Sequence, residues 1–377
     1  MSIKKGISGI TSFIIWIFAF ALAVCLLGAY INPMSLPLLG IASLFIAPLI
    51  LINILLLFYC ILRKKQTGFG VLFVLLLSLP QIQNIWGFNL KNNTSTLSKT
   101  NELSILSYNV RNFDLYNWSQ NEASRETIFE KLKQVDADII CFQEFYSTPG
   151  GEWDNIKRLK EDLGYKHYYF SRELVKDKGR QWGIATFSKF PINNYGELLH
   201  ATRKNQPEKT YYKAAFTDIE TNIGAIRVIN THLASLYFDN SDYSTLEHLS
   251  DTDGLTLEKS KPIISKLING YKRRGKQVQE LKTFINDSTI NIPLVLCGDF
   301  NDIPTSFAYN KLSTNLYDGF LKTNWGLGAT YNGIIPGLRI DFTLLDKSFN
   351  VTASKIIDLD ISDHAPVLTT FSLKTPK

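Results

Sequence analysis

Several apolar runs in this chain end in acids, amides or histidines, the side chains that handle phosphate and divalent cations. Ser107-Tyr108-Asn109-Val110 closes one run. Ile139-Ile140-Cys141-Phe142-Gln143-Glu144 puts an acid at the end of another. Val228-Ile229-Asn230-Thr231-His232 ends a third, and Leu294-Val295-Leu296-Cys297-Gly298-Asp299-Phe300-Asn301 a fourth. Arg339-Ile340-Asp341-Phe342 carries an acid inside an apolar run, and Ile361-Ser362-Asp363-His364-Ala365-Pro366 reads as a loop entering a last strand.

On a strand, residues i and i+2 share a face, so Asn230 with His232, and Asp299 with Asn301, can each offer two polar groups to one cleft. Asp363 and His364 are adjacent, and a loop lets one face a metal while the other faces substrate. Glu144, Asp363 and the Asn109 amide oxygen are hard donors that suit Mg²⁺ or Mn²⁺ better than Zn²⁺. No His-x-x-x-His or Cys-x-x-Cys pair offers a zinc site, and no Gly-rich phosphate loop precedes a helix. Each residue alone has a plainer use: a lone Asn is a turn former, Asp299 to Asp302 can be a simple turn, and a single His is often structural. Asp341 resists that reading, because an unpaired carboxylate in an apolar run costs on the order of several kcal/mol.

These residues need elements to position them. Period-two patterning predicts strands at 103–110, 138–144, 167–171, 182–188, 211–220, 225–232, 293–300, 339–345 and 366–372. Amphipathic spacing predicts helices at 122–134, 152–163, 258–272, 277–286 and 306–312. The pattern fits a β-rich α/β domain with helices outside a pair of sheets, and the stretch is long enough for one large core. Cys141 and Cys297 lie in strand runs and Cys25 and Cys60 in apolar spans, which predicts four buried, unpaired thiols.

The first 88 residues differ in kind. They hold Lys4, Lys5, Arg63, Lys64 and Lys65 and no acid, so the net charge of +6 belongs almost wholly to them. The remainder is near neutral, and the basic pI is no argument for a nucleic-acid partner. Uncharged apolar runs at 10–31, 36–62 and 69–88 are each long enough to span a bilayer, which predicts three transmembrane helices. The basic flanks place the N-terminus and the 63–65 loop in the cytoplasm, and everything after residue 88 on the exoplasmic (periplasmic or extracellular) side. The division expected is a membrane anchor at 1–88, a polar linker at 89–101 and a catalytic domain at 102–374.

The ordered series Asn109, Gln143-Glu144, Asn230-Thr231-His232, Gly298-Asp299-Phe300-Asn301, Arg339-Ile340-Asp341 and Ser362-Asp363-His364 resembles the endonuclease/exonuclease/phosphatase superfamily. The resemblance implies a four-layered α/β sandwich, two packed mixed sheets flanked by helices, with the site at one edge. It implies Glu144 as principal metal ligand, with Asn109 and Asp363 helping, and Mg²⁺ or Mn²⁺ as cofactor. It implies Asp299 as the residue that orients or deprotonates water, Asn301 as a phosphate or metal contact, and Asn230 as a substrate contact. His364 resembles the catalytic histidine with Asp341 as its partner, and His232 the second histidine of deoxyribonucleases and sphingomyelinases. Arg111 stands where some members carry a second acid.

The function expected is a membrane-anchored phosphodiesterase, endonuclease-like on nucleic acid. A sphingomyelinase-like lipid phosphodiesterase and an inositol-phosphate-type phosphatase are alternatives, so a lipid headgroup is a second candidate partner. A different alternative is an inactive membrane scaffold of the same fold. The segment 236–276, acidic then basic and ending in Lys272, Arg273, Arg274 and Lys276, is expected to wall the cleft and meet phosphates, or else to end as a solvated helix.

Overall fold

The computed structural model describes residues 2–90, 101–198, 213–235, 257–287, 292–333, 336–359 and 361–374. The chain divides into two compact units, one containing Met1–Trp86, Leu236–Lys276 and Ile303–Lys311, and the other containing the rest.

The second unit is built on two mixed six-stranded sheets. In spatial order the first holds Phe349–Ile356, Val367–Leu373, Leu103–Asn109, Ile139–Ser147, Arg180–Ser188 and His167–Lys176. The second holds Leu316–Asp318, Asp341–Asp346, Leu294–Asp299, Gly224–His232, Ala214–Thr221 and Ile192–Glu197. Each sheet has one parallel pair at its centre: Leu103–Asn109 beside Ile139–Ser147, and Gly224–His232 beside Leu294–Asp299. Leu103, Ile105, Ile139 and Cys141 of one sheet pack on Ile226, Val228, Val295 and Cys297 of the other, all fully buried. The outer side of the first sheet is covered by Ser124–Val135 and Asn155–Glu161 through Ile128, Phe129, Leu132 and Leu159. On the second sheet, Phe216 packs against Phe284 of the helix Leu257–Ile285. This α/β architecture agrees with the sheets and helices expected from the sequence.

Within the two six-stranded sheets, three strands escaped the sequence pattern: Ile192–Glu197, Leu316–Asp318 and Phe349–Ile356. The first and third are sheet edges with mixed exposure, where period-two patterning is weakest. The two helices expected at 258–272 and 277–286 are one continuous helix, Leu257–Ile285. Gly275 does not break it; a Cβ there would lie 2.5 Å from Asn32 Oδ1 and 3.2 Å from Pro33, so the glycine permits close packing within the first unit. All four cysteines are buried and free.

In the first unit two helices, at Gly9–Leu27 and Pro37–Leu62, are long and apolar enough to cross a membrane. The expected third span is not one straight helix. It bends by 53° between Thr67–Leu77 and Leu79–Ile85, and counts as a span only if the bent pair is taken together. Pro80 sits in the first turn of the second piece, where it has no N–H for the preceding turn. Phe13, Phe20, Leu55, Phe58, Phe69 and Phe73 are between 62% and 78% exposed. Lys65 Nζ donates to Thr11 Oγ1 at 2.6 Å at one end of the bundle. At the other, Gln81 Nε2 donates to Tyr30 Oη at 3.1 Å and to Asn310 Oδ1 at 3.1 Å, and Thr305 Oγ1 donates to the Ser43 carbonyl at 3.0 Å.

Candidate active site

The sheet register explains why the polar strand ends converge. In the second sheet His232 pairs with Asp299 across the parallel pair, and Asp299 pairs with Asp341 across the antiparallel one. In the first sheet Asn109 pairs with Gln143 at the same end of its own parallel pair. Two local distortions aim the side chains further. A register shift between Phe142 and Phe145 brackets Glu144, whose φ is +50°. Such a bulge re-aims a side chain that a regular strand would turn elsewhere. Asn301 also has φ +50°, just after Gly298, where φ is +139° and a Cβ would lie 1.9 Å from the Thr231 carbonyl.

Asp299 is the hub. Its Oδ1 accepts the Asn301 N–H at 2.7 Å, and its Oδ2 accepts Asn109 Nδ2 at 3.1 Å and Asn301 Nδ2 at 3.2 Å. The Nε2 atoms of His232 and His364 lie 3.6 Å and 3.7 Å from the same Oδ2. Asp341 accepts the His364 Nδ1–H at 2.9 Å and is itself buried. Thr330 Oγ1 accepts the Asp341 N–H at 3.1 Å, and the Tyr331 ring meets His364 edge-on at 5.1 Å. Ser362 Oγ donates to the Asn109 carbonyl at 2.9 Å, tying the 361–364 turn to the strand end.

The electrostatics separate the two histidines. Burial opposes charge on His364, but Asp341, then Asp299 and Asp363, outweigh it and push its pKa up to about 10. Burial prevails at His232 and lowers its pKa, Asp299 opposing and His364 adding to the fall. At neutral pH one imidazole is charged and the other neutral, both beside one carboxylate. Burial raises the Asp299 carboxyl, with His364 opposing and Asp341 adding. Burial and then Asp363 raise Glu144, against His364, Asn109 and Arg111.

All the residues expected from the sequence lie in the second unit, but not all in the roles expected. Asn230 is fully buried, with Nδ2 donating to the Phe142 and Ala185 carbonyls at 3.1 and 3.2 Å and Oδ1 accepting Gln143 Nε2 at 2.8 Å. It braces one sheet against the other and does not line a cleft, so the substrate contact expected of it is corrected. Asn109 turns Nδ2 toward Glu144 Oε1 at 3.4 Å and Asp299, while Oδ1 accepts the Arg111 N–H at 3.1 Å. In that pose it orients the acids; the N/O assignment of an amide follows from its partners. Glu144, whose charge Asp363 disfavours, and Asp363 itself fit a hard cation between protein and phosphate. Asp299, Asp341 and His364 also offer ligand atoms within 4.8 Å of one another.

Of the expected basic wall only Arg274 is corrected: it is 1% exposed, with its guanidinium 4.4 Å over the Tyr271 ring, so it is packed and not a solvated cation, while Lys272 and Lys276 are exposed. Residues 236–256, the acidic half of that segment, lie outside the described residues. The sequence also gave no warning of Glu173 and Lys213. Burial pushes Glu173 well up, with Lys213 opposing and Glu144 adding, and Lys213 Nζ pairs with Glu197 Oε1 at 3.0 Å.

Acids and two histidines gathered around one buried carboxylate at the ends of two parallel pairs can serve phosphoric-ester hydrolysis. Residues 106–364 match the Endonuclease/Exonuclease/phosphatase family, and the chain belongs to it. Family members are in general divalent-metal dependent and act on phosphodiester bonds. Residues 8–85 match a family described only as a domain of unknown function. The CCR4-Not complex 3'-5'-exoribonuclease subunit Ccr4 of Candida albicans is 25% identical over 232 residues, 55% of this chain; the chain spans 27% of that protein's length. The fold is shared with an endonuclease/exonuclease/phosphatase from Beutenbergia cavernae, at 18% identity, TM-score 0.51 and 72% coverage of each chain. It is also shared with the human Nocturnin catalytic domain, at 19% identity and TM-score 0.51 over 74% of this chain and 100% of that one.

Proposed function

We propose that this protein is a membrane-anchored, Mg²⁺- or Mn²⁺-dependent phosphodiesterase that cleaves nucleic acid, with its catalytic domain at 102–374 on the exoplasmic side of an anchor at 1–88 and a linker at 89–101. The observation that carries the reading is Asp299 Oδ2, faced by Asn109 and by two imidazoles, one charged and one neutral. Glu144 and Asp363 would hold the cation, which supplies charge neutralisation on the phosphate oxygens and a Lewis acid. Asp299 orients the attacking water and takes its proton. His364, kept charged by Asp341, faces the developing negative charge on phosphate. His232, neutral, hydrogen-bonds a phosphate oxygen, and the leaving oxygen takes its proton from the imidazolium of His364 while Asp299 holds the proton taken from water. Asn301 holds Asp299 from the other side.

Nucleic acid is favoured over lipid by the exoribonuclease relative. The basic residues Lys4, Lys5 and 63–65 fall at the end of the bundle where Lys65 reaches Thr11. That polarity supports the exoplasmic assignment by the positive-inside rule. Purified full-length chain in detergent, assayed against single-stranded DNA, RNA, sphingomyelin and an inositol phosphate side by side, tests the reading. Cleavage of lipid alone would overturn it.

A further inference from the structure

Beyond the Leu103–Asn109 strand the chain turns sharply, and Arg111, Asn112, Phe113 and Asp114 all have positive φ, at 44°, 55°, 57° and 57°. Non-glycine residues rarely adopt that region, so the surroundings must hold the turn. They do so from inside. Phe113 is fully buried, with ring centroids 5.7, 5.9 and 5.4 Å from Phe129, Phe142 and Phe145. The Asp114 carboxylate accepts both the N–H and the hydroxyl of Ser119.

What the turn presents outward is aromatic. Tyr116 and Trp118 are 58% and 44% exposed, and their rings meet edge-to-face at 4.9 Å. The Arg111 guanidinium lies 4.7 Å over the Trp118 ring, and its Nε is 3.7 Å from Asp363 Oδ1. One side chain thus joins the exposed rings to an acid of the catalytic cluster. A strained turn fixed from within that offers two large rings to water has the makings of a binding surface.

We propose that Tyr116 and Trp118 form a stacking ledge for the nucleobase next to the scissile phosphate, with Arg111 facing the phosphate that joins base to site. This deepens the nucleic-acid reading above and rests on it. Every base offers a π face, and aromatic rings beside a guanidinium are the chemistry of sequence-tolerant single-strand binding. The cationic headgroup of a choline lipid fits worse, because Arg111 already covers Trp118 and would repel it. Bases inside a duplex cannot reach the ledge, so the substrate is single-stranded or frayed.

The test uses full-length chain in detergent and two single-stranded oligonucleotides. They differ only at the nucleotide beside the cleaved bond, one carrying a base and the other an abasic residue. Stacking is worth about 1–3 kcal/mol per base, so the wild-type KM should be about 5- to 150-fold lower with the base present. In Trp118→Ala that ratio should collapse towards one, and in Trp118→Phe most of it should return. Tyr195→Ala, which removes an equally exposed ring on the Ile192–Glu197 strand, should keep the wild-type ratio. A Trp118→Ala enzyme that keeps the ratio, or a wild type that cleaves both oligonucleotides with equal KM, overturns the ledge. Failure to cleave either oligonucleotide overturns the nucleic-acid reading itself.

Discussion

Asp341→Asn isolates the electrostatic argument. Asp341 accepts the His364 Nδ1–H at 2.9 Å and is the largest of the influences that raise the imidazole. With a pKa of about 10, only about one imidazole in a thousand is neutral at pH 7. The amide keeps the shape but removes the charge, while the burial that opposes the imidazolium remains. A fall from about 10 to the ordinary value of about 6.5 would weaken the imidazolium by roughly 5 kcal/mol, an upper limit because Asp299 and Asp363 stay. Histidines labelled at Cε1 and titrated by NMR in chelator, with His364→Ala for assignment, read this directly. The His364 resonance should titrate at clearly lower pH in Asp341→Asn. Hydrolysis at pH 7 should fall by about 10²–10⁴-fold, and the double variant with His364→Ala should lose little more, because the two act as a unit. An unmoved resonance, or independent losses that multiply, would refute the reasoning.

Other outcomes follow from the same geometry. Because the folded pKa of His364 lies above its unfolded value, its contribution to stability is complete below about pH 6.5 and is lost as pH rises through about 10. The Tm deficit of Asp341→Asn should therefore be greatest in neutral and mildly acid buffer and narrow towards pH 10. Glu144→Gln should weaken Mn²⁺ binding, read by calorimetry as well as by activity, and EDTA should abolish hydrolysis until Mg²⁺ or Mn²⁺ returns. Arg274→Ser should lower Tm, and not merely raise KM for nucleic acid, because that guanidinium is packed on Tyr271. A reporter active only in the exoplasm should work when fused after Lys377 and fail in the 63–65 loop; the reverse pattern would move the enzyme to the cytoplasm.

The strand ends were legible because period-two patterning and the i, i+2 rule depend only on local sequence. Asp299, Asn301, His232 and His364 could be read as chemistry without any knowledge of register, and Asp341 stood out because an acid there needs a partner. Tertiary facts were not legible. Asn230 shares a face with His232, and nothing local says that this face turns between the sheets at one residue and into the site two residues on. Glu144 is aimed by a bulge whose positive φ no propensity announces. The gap expected between 272 and 277 holds Gly275, whose use is close approach to Asn32 and Pro33, far away in sequence. The third apolar run read as one span because hydropathy averages over the Pro80 bend that splits it.

The central claim is that Asp299 and its two histidines carry out metal-dependent phosphodiester hydrolysis. The most direct measurement is cleavage of a single-stranded oligonucleotide by full-length wild type and Asp299→Asn, each with Mg²⁺ and with EDTA, on preparations of matched Tm. The account expects cleavage only in wild type with metal, and a loss of at least about 10²-fold in Asp299→Asn. Equal rates in the two proteins, or full wild-type activity in chelator, would contradict it.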